Sequence, residues 1–281
     1  MKYDKIRLVG ANTVDLPIQG ADPSGPFILK AVDGLGPTER DSNIAQAANE
    51  TGVRQGAIAH NRQVVARIGL QAAWDIGQTA EELRSTLYGL LAPKYGQPVV
   101  LQLMSGATVK AQCQGDISKF EVAIFAKDPE VQITLDCDSP YLVAPEIVYE
   151  LPVLSPYSGR TLMTINNPGD APSGFWMSVK FGEALAAPFI LQENDVLGRQ
   201  LAINKAAWAV DDILTLDTRI GTRMVSKFKA SNGVTSNQMG NISPTTTWLQ
   251  LYGGINQLIF PVDTFTFNGN GFGYLPRWWG V

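Results

Sequence analysis

The chain has almost no histidine and almost no cysteine. His60 is the single imidazole among 281 residues, which removes most acid–base and metal chemistry, since histidine is the usual carrier of both. Cys113 and Cys137 are the two cysteines. They form no close-spaced metal or redox motif, and each sits in an alternating, strand-like run, so two reduced, half-buried thiols are expected. Basic charge is not in excess: 22 Lys and Arg against 26 Asp and Glu give a net charge of −4, which offers no footprint for duplex nucleic acid. Long hydrophobic runs are also missing. The start, Met1 to Arg7, has no apolar signal region, and the stretch from Ala184 to Leu191, broken by Pro188, falls far short of the ~20 residues that cross a bilayer. Synthesis in the cytoplasm without membrane insertion is the expectation. No serine sits between glycines as a nucleophile elbow requires. The glycine-rich stretches Gly34-Leu35-Gly36-Pro37 and Gly269-Asn270-Gly271-Phe272-Gly273 lack a phosphate-loop lysine. No catalytic residue, no cofactor and no metal site is expected, and the composition leans away from an enzyme.

What is present is punctuation and period-two patterning. Gly 27 and Pro 17 exceed the usual share and favour many short strands over long helices. One helix is predicted: Thr79 and Glu82 make a capping box, Leu83, Leu87, Leu90 and Leu91 share one face, and Pro93 stops it. A weaker helical candidate is Ser42 to Ala48. Strands are predicted over Gln63 to Leu70, Pro98 to Met104, Thr108 to Gln112, Ile117 to Phe125 and Val131 to Cys137, with a hairpin loop at Ser105-Gly106-Ala107. Prolines flank the run from Ser139 to Pro145, which predicts a boundary between domains 1–143 and 144–281. Beyond it, short strands at Leu162–Ile165, Trp176–Phe181, Ile213–Leu216, Trp248–Tyr252, Leu258–Val262 and Phe265–Phe267 argue for an all-β sandwich. The fold class is mainly β, with an α+β first half.

Among residues that could carry chemistry, Asp136 and Asp138 share a strand face like a hydrolase carboxyl pair. Strand-end aspartates near Pro140 read more simply as solvated caps, and Asp211-Asp212 reads as a turn before the strand at Ile213. His60 lies in a polar stretch leading into a strand and reads as a loop or interface residue. The six tryptophans, Trp74, Trp176, Trp208, Trp248, Trp278 and Trp279, read as core packing, with stacking on sugar rings as the alternative. Adjacent Trp278 and Trp279 point to opposite faces of a strand, so at least one of them should pack on another domain or subunit if both are dry.

Several segments, in order, carry a resemblance. They are Asp33-Gly34-Leu35-Gly36-Pro37, Ser42-Asn43-Ile44-Ala45, Gln55-Gly56, and Asn61 to Leu70. The helix ending Leu87-Tyr88-Gly89-Leu90-Leu91-Ala92-Pro93 and the run Ala123 to Thr134 belong with them. In the second half come Asn166-Asn167-Pro168-Gly169-Asp170-Ala171-Pro172, Asp217-Thr218-Arg219 and Pro276-Arg277-Trp278-Trp279-Gly280. Together they resemble siphophage distal tail proteins over nearly the whole chain. The resemblance implies an N-terminal β-sandwich with one packed helix and a β-hairpin, then a C-terminal galectin-like β-sandwich. It also implies a homo-hexameric ring in a long non-contractile tail. That ring joins the tail tube protein above to the tail hub below, holds the tape-measure protein in its lumen, and lets DNA through only in passage. No stretch is long enough for an inserted carbohydrate-binding domain. A non-catalytic carbohydrate-binding module and, further off, a tail-associated glycan hydrolase are the readings from other classes.

A ring needs two different complementary surfaces on each copy. The segment from Asp33 to Asn61 is long for a connection and is expected to lack structure of its own. It is rich in Gly, Ala, Asn and Gln, so it can be buried against a neighbour at low desolvation cost. Asp33, Gly34, Ile44, Ala47, Gly56 and His60 are its candidate interface residues, and Trp278 and Trp279 the candidates for C-terminal packing.

Overall fold

The structure is a computed structural model. It describes residues 2–10, 12–18, 25–38, 40–46, 52–72, 77–91, 98–122, 129–205 and 207–280, with the backbone alone over 40–46 and 52–59. The chain forms two compact units. The first is Met1–Pro145 together with Trp278–Val281, and the second is Glu146–Arg277.

In the first unit the strands are β1 (Lys5–Val9), β2 (Thr13–Pro17), β3 (Phe27–Asp33), β4 (Arg40–Gln46), β5 (Gly52–Ala59), β6 (Gln63–Leu70), β7 (Val99–Ser105), β8 (Thr108–Val122), β9 (Glu130–Cys137) and β10 (Leu142–Val143). One antiparallel sheet runs β2-β1-β7-β8-β9-β6-β3. A bridge between Ile18 and Leu29 brings β3 back beside the end of β2, so the layers expected of a sandwich are parts of a single curled sheet. Its inward face follows the sequence alternation: Ile6 and Leu8, Val64, Ala66 and Ile68, and Leu101 and Leu103 are buried in one core. The segments expected as separate strands at Thr108–Gln112 and from Ile117 are the single long strand β8, with a bulge between Ile117 and Lys119. Two residues, Gly106 and Ala107, turn β7 into β8, with Ser105 opposite Thr108. Gly106 takes φ +60° there.

Helix α1 (Ala80–Leu91) closes the core. Its capping box is formed: the Glu82 amide donates to Thr79 Oγ1 at 3.2 Å, and the Thr79 amide donates to Glu82 Oε2 at 2.9 Å. Leu83, Leu87 and Leu91 are buried in the sheet's own core cluster. Pro93, expected to end the helix, lies outside the described residues, as does Trp74.

The second unit is all β, apart from one 3-10 turn at Met239–Asn241, among the described residues. Its strands are β11 (Val153–Pro156), β12 (Thr161–Asn167), β13 (Phe175–Phe181), β14 (Phe189–Glu193), β15 (Gln200–Ile203), β16 (Ile213–Asp217), β17 (Met224–Lys229), β18 (Val234–Asn237), β19 (Gly254–Phe260) and β20 (Phe265–Tyr274). Two five-stranded antiparallel sheets result, ordered β11-β12-β19-β14-β15 and β18-β17-β16-β13-β20. Their shared core is aromatic: Phe181, Phe189, Trp208 and Phe260 meet at centroid distances of 5.0 to 6.3 Å. The strand expected over Trp248–Tyr252 is reduced to a bridge between Leu251 and Ser173. A final short strand, β21 (Arg277–Trp278), pairs with β10.

Asp211-Asp212 departs from the expected solvated turn. Asp211 does turn, at φ +68°, but Asp212 is buried and pairs with Lys227 Nζ at 2.8 Å. Burial raises the Asp212 carboxyl, yet the Lys227 hydrogen bond and the Ala209 and Ala230 amides outweigh it, leaving the carboxyl below its ordinary value.

Candidate assembly site

The segment expected to be structureless is a hairpin. Strands β4 and β5 pair antiparallel from Arg40↔Ala59 to Gln46↔Gly52, with a bulge between Asn43 and Ile44. This corrects the expected loop and, over Ser42–Gln46, the expected helix; Ala47 and Ala48 lie outside the described residues. The physical reason is composition: small and amide side chains carry no strong period, so the alternation that marks the other strands is absent here. Among the described residues the hairpin hydrogen-bonds to no other strand and stands as its own two-stranded sheet. Ile44 is on β4 opposite Arg54, and Gly56 is on β5 opposite Asn43. Ala47 lies outside the described residues.

At the root of this arm the chain leaves β3 and returns into β6. Asp33 ends β3 and is exposed. Gly34 takes φ +86°, and a Cβ there would stand 1.9 Å from the Gln63 carbonyl oxygen, so only glycine fits. Leu35 turns back into the core. On the returning side His60 is exposed, and Arg62 is 1% exposed.

Arg62 holds the root together. Its Nη1 donates to the carbonyls of Gly34 and Gly36, the latter at 2.9 Å, and its Nη2 donates to the carbonyls of Pro140, at 3.0 Å, and Trp279. All four partners are uncharged backbone groups, so burial lowers the pKa of this guanidinium from its ordinary value. Its own carbonyl accepts from the Cys137 amide at 2.8 Å. One side chain thus ties both strands of the arm's root to residue 140 and to the end of the chain. The C-terminal residues press on the same place. A Cβ at Gly280 would come within 2.7 Å of the backbone of Gly36 and Pro37. The Trp279 ring meets the Tyr141 ring at 4.6 Å, and Trp278 packs against the first unit's core. Both tryptophans are half-buried.

The remaining candidates are scattered. Asp136 and Asp138 are exposed and accept from the Gln63 and Gln114 side-chain amides at 2.8 and 3.3 Å. Cys113 and Cys137 are free and fully rather than half buried; a mutual hydrogen bond and burial raise the Cys113 thiol. Of the tryptophans, Trp208 is core, while Trp176 and Trp248 are half-buried. Asp33, Gly34 and His60 gather at the arm's root with Trp278 and Trp279 close by in the same unit; Ile44 and Gly56 lie further along the arm. Sequence reasoning missed Arg62 as the organiser. Its signal was available: Arg62 is in phase with Val64, Ala66 and Ile68, all buried, so the period-two rule points this cation inward.

The crystal structure of the SPP1 Dit (gp 19.1) protein, described as a paradigm of the hub adsorption apparatus in phages infecting Gram-positive bacteria, matches with a TM-score of 0.58 at 12% identity. The match covers 97% of this chain and 98% of that one. Chains of the phage p2 baseplate in its activated conformation, with Sr and with Ca, match with TM-scores of 0.40 and 0.41 at 10% and 11% identity. They cover 96% and 97% of this chain and 97% of each of theirs. At these identities the likeness is one of fold, and the chain shares the mainly-β fold of the SPP1 Dit protein over 97% of its length. No family model matches the sequence, and no curated protein matches it.

Proposed function

We propose that this chain is a distal tail protein of a long-tailed phage, a structural component of the virion rather than an enzyme. Six copies close into a ring that joins the tail tube to the tail-tip hub, with the tape-measure protein in the lumen and DNA crossing only in passage. The second unit is the galectin-like sandwich on the ring's outer side. In this reading 1–143 is the ring-forming domain and 144–281 the peripheral one, with the last residues returning to brace the first. The protein is made in the host cytoplasm and works in the virion tail.

The observation that carries this reading is the fold match along the whole chain to a phage hub protein, in agreement with the order of sequence motifs. The arm adds a physical argument. A lone two-stranded hairpin is marginal in water, and β4–β5 pairs only with itself among the described residues, so it gains most by lying on another copy. A head-to-tail contact of this kind closes into a ring when arm and acceptor surface differ. Arg62 would then set the arm's exit direction.

The test is the mass of the assembly. Charged, bulky changes on the arm, Gly56→Glu and Ala47→Arg, should leave a folded monomer and abolish hexamers in mass photometry. Unaltered hexamers from both variants would remove the arm from the interface.

A further inference from the structure

The second unit carries a small cleft on the outer face of one sheet, and three glycines build it. Trp176 lies on β13 with Asp217 on one side and Gly273 on the other. Phe175, Met177 and Val179 face the core, so Trp176 is on the sheet's outer face. Gly273 leaves that face bare beside the indole. A Cβ there would meet Tyr149 Cδ1 at 3.0 Å and Ile147 Cγ2 at 3.1 Å, so both side chains lie down on the glycine. The pairing of β13 with β20 then skips: Met177 is opposite Phe272 but Val179 is opposite Phe267. The intervening Asn268-Gly269-Asn270-Gly271 is pushed out as an excursion from the strand. Gly269 and Gly271 take φ of +63° and +49°, and a Cβ on Gly271 would meet Phe267 Cβ at 2.3 Å. Asn268 anchors the excursion to Ser178 Oγ at 3.4 Å. Strand irregularities of this type re-aim side chains beside binding sites, and here the excursion brings Asn270 to the rim.

The cleft measures about 170 Å³ and is lined by Ile147, Tyr149, Trp176, Arg219, Asn270 and Gly273. Tyr149 is 56% exposed. Arg219 forks onto Asp217, Nε to Oδ1 at 2.9 Å and Nη2 to Oδ2 at 2.6 Å, which cancels its charge and fixes the guanidinium.

We propose that this cleft binds one ring of a neutral saccharide, the cleft being formed where Gly273 and the Asn268–Gly271 excursion set Trp176, Tyr149, Asn270 and Arg219 around it. Two aromatic side chains offer apolar faces with polar handles, and the C–H face of a pyranose stacks on such faces. The Asn270 amide both donates and accepts, as vicinal hydroxyls require. The Asp217–Arg219 pair gives the site no net charge with which to attract a phosphate. The volume is below that of drug-sized pockets and suits a single ring. The inference stands on the second unit alone; a failed sugar titration leaves the hexamer assay unaffected, and the reverse holds.

The full chain is titrated with glucose, galactose, N-acetylglucosamine and rhamnose, each to about 50 mM, followed by saturation-transfer NMR and tryptophan fluorescence. At least one sugar is expected to bind with a dissociation constant of about 1–10 mM, the range of a single-ring site. Asn270→Ala, on an exposed turn, should weaken binding about 10-fold through the lost amide bonds, and Tyr149→Ala should weaken it comparably. Tyr157→Ala, an exposed tyrosine of β11's flank, should leave it unchanged. No binding of any of the four sugars, or binding that survives both Asn270→Ala and Tyr149→Ala, overturns the proposal.

Discussion

Replacing Arg62 by alanine is the most informative single perturbation of the first unit. The guanidinium satisfies the carbonyls of Gly34, Gly36, Pro140 and Trp279 from a position that is 1% exposed. Truncation removes four charge-assisted hydrogen bonds and leaves acceptors that cost about 1–3 kcal/mol each when buried and unpaired. Some of these carbonyls belong to loop residues that water reaches once the side chain is gone. The cation's own burial cost is also recovered. The net loss therefore sits near the range for breaking a buried charged network, about 3–5 kcal/mol. For a unit of this size that lowers the melting temperature by roughly 10 °C. Differential scanning calorimetry of the full chain should show the first unit's transition shifted by this amount. Hydrogen exchange should rise first at Leu35, Gly36 and Gly280, the backbone that Arg62 and the C-terminus hold together. Arg62→Lys should recover no more than about half of the loss, because one ammonium cannot span four carbonyls in two directions. A shift below about 2 °C for Arg62→Ala would refute the reasoning, since it would mean that water satisfies the root as well as the guanidinium does.

Three further outcomes follow from the same geometry. Gly34→Ala forces a side chain onto φ +86° with its Cβ 1.9 Å from a carbonyl oxygen; urea denaturation should show a loss of about 3 kcal/mol or more, and a loss below 1 kcal/mol would mean that the root relaxes freely. Lys227→Ala leaves the Asp212 carboxylate buried without its cation and removes a contact with the Trp208 ring at 4.9 Å, so the second unit should lose about 3–5 kcal/mol, while the first unit's transition stays in place. Asp15 is held at a pKa of about 2 by its hydrogen bonds from Arg7 and Lys5. Because that value is depressed from 3.8, its contribution is present above about pH 4 and is lost as pH falls towards 2. With the side chain 40% exposed, screening limits the contribution to about 1 kcal/mol or less; the urea midpoints of the wild type and Asp15→Asn should differ at pH 6 and converge at pH 2.

Much of this architecture is legible in the residues. The Thr79–Glu82 box and the leucine stripe place α1 within a residue, and alternation places β6, β7 and β9, because half-buried sheet faces impose period two on the sequence. Strands built from small or polar residues escape that rule. The β4–β5 arm carries no apolar alternation and among the described residues pairs with no other strand, and Met224–Lys229 mixes two lysines into a strand whose Lys227 is paired inside. The long β8 carries a bulge between Ile117 and Lys119 that breaks its alternation, and its Gly115 lets Cys137 approach, a Cβ there meeting the Cys137 Cα at 2.6 Å. At the candidate site the turn glycines and the closing tryptophans stand out in sequence. Arg62 does not, because its four carbonyl partners are supplied by backbone from positions 34, 36, 140 and 279, and no side-chain pattern encodes that convergence.

The most direct test of the central proposal is the oligomeric state of the purified chain, read by mass photometry and then by cryo-electron microscopy. Six copies of the 30.4 kDa chain give a particle of about 182 kDa, expected to average as a six-fold ring with an open lumen and the β4–β5 arm of each copy lying on its neighbour. A chain that remains monomeric at tens of micromolar, or that closes with the arm projecting into solvent, would contradict it.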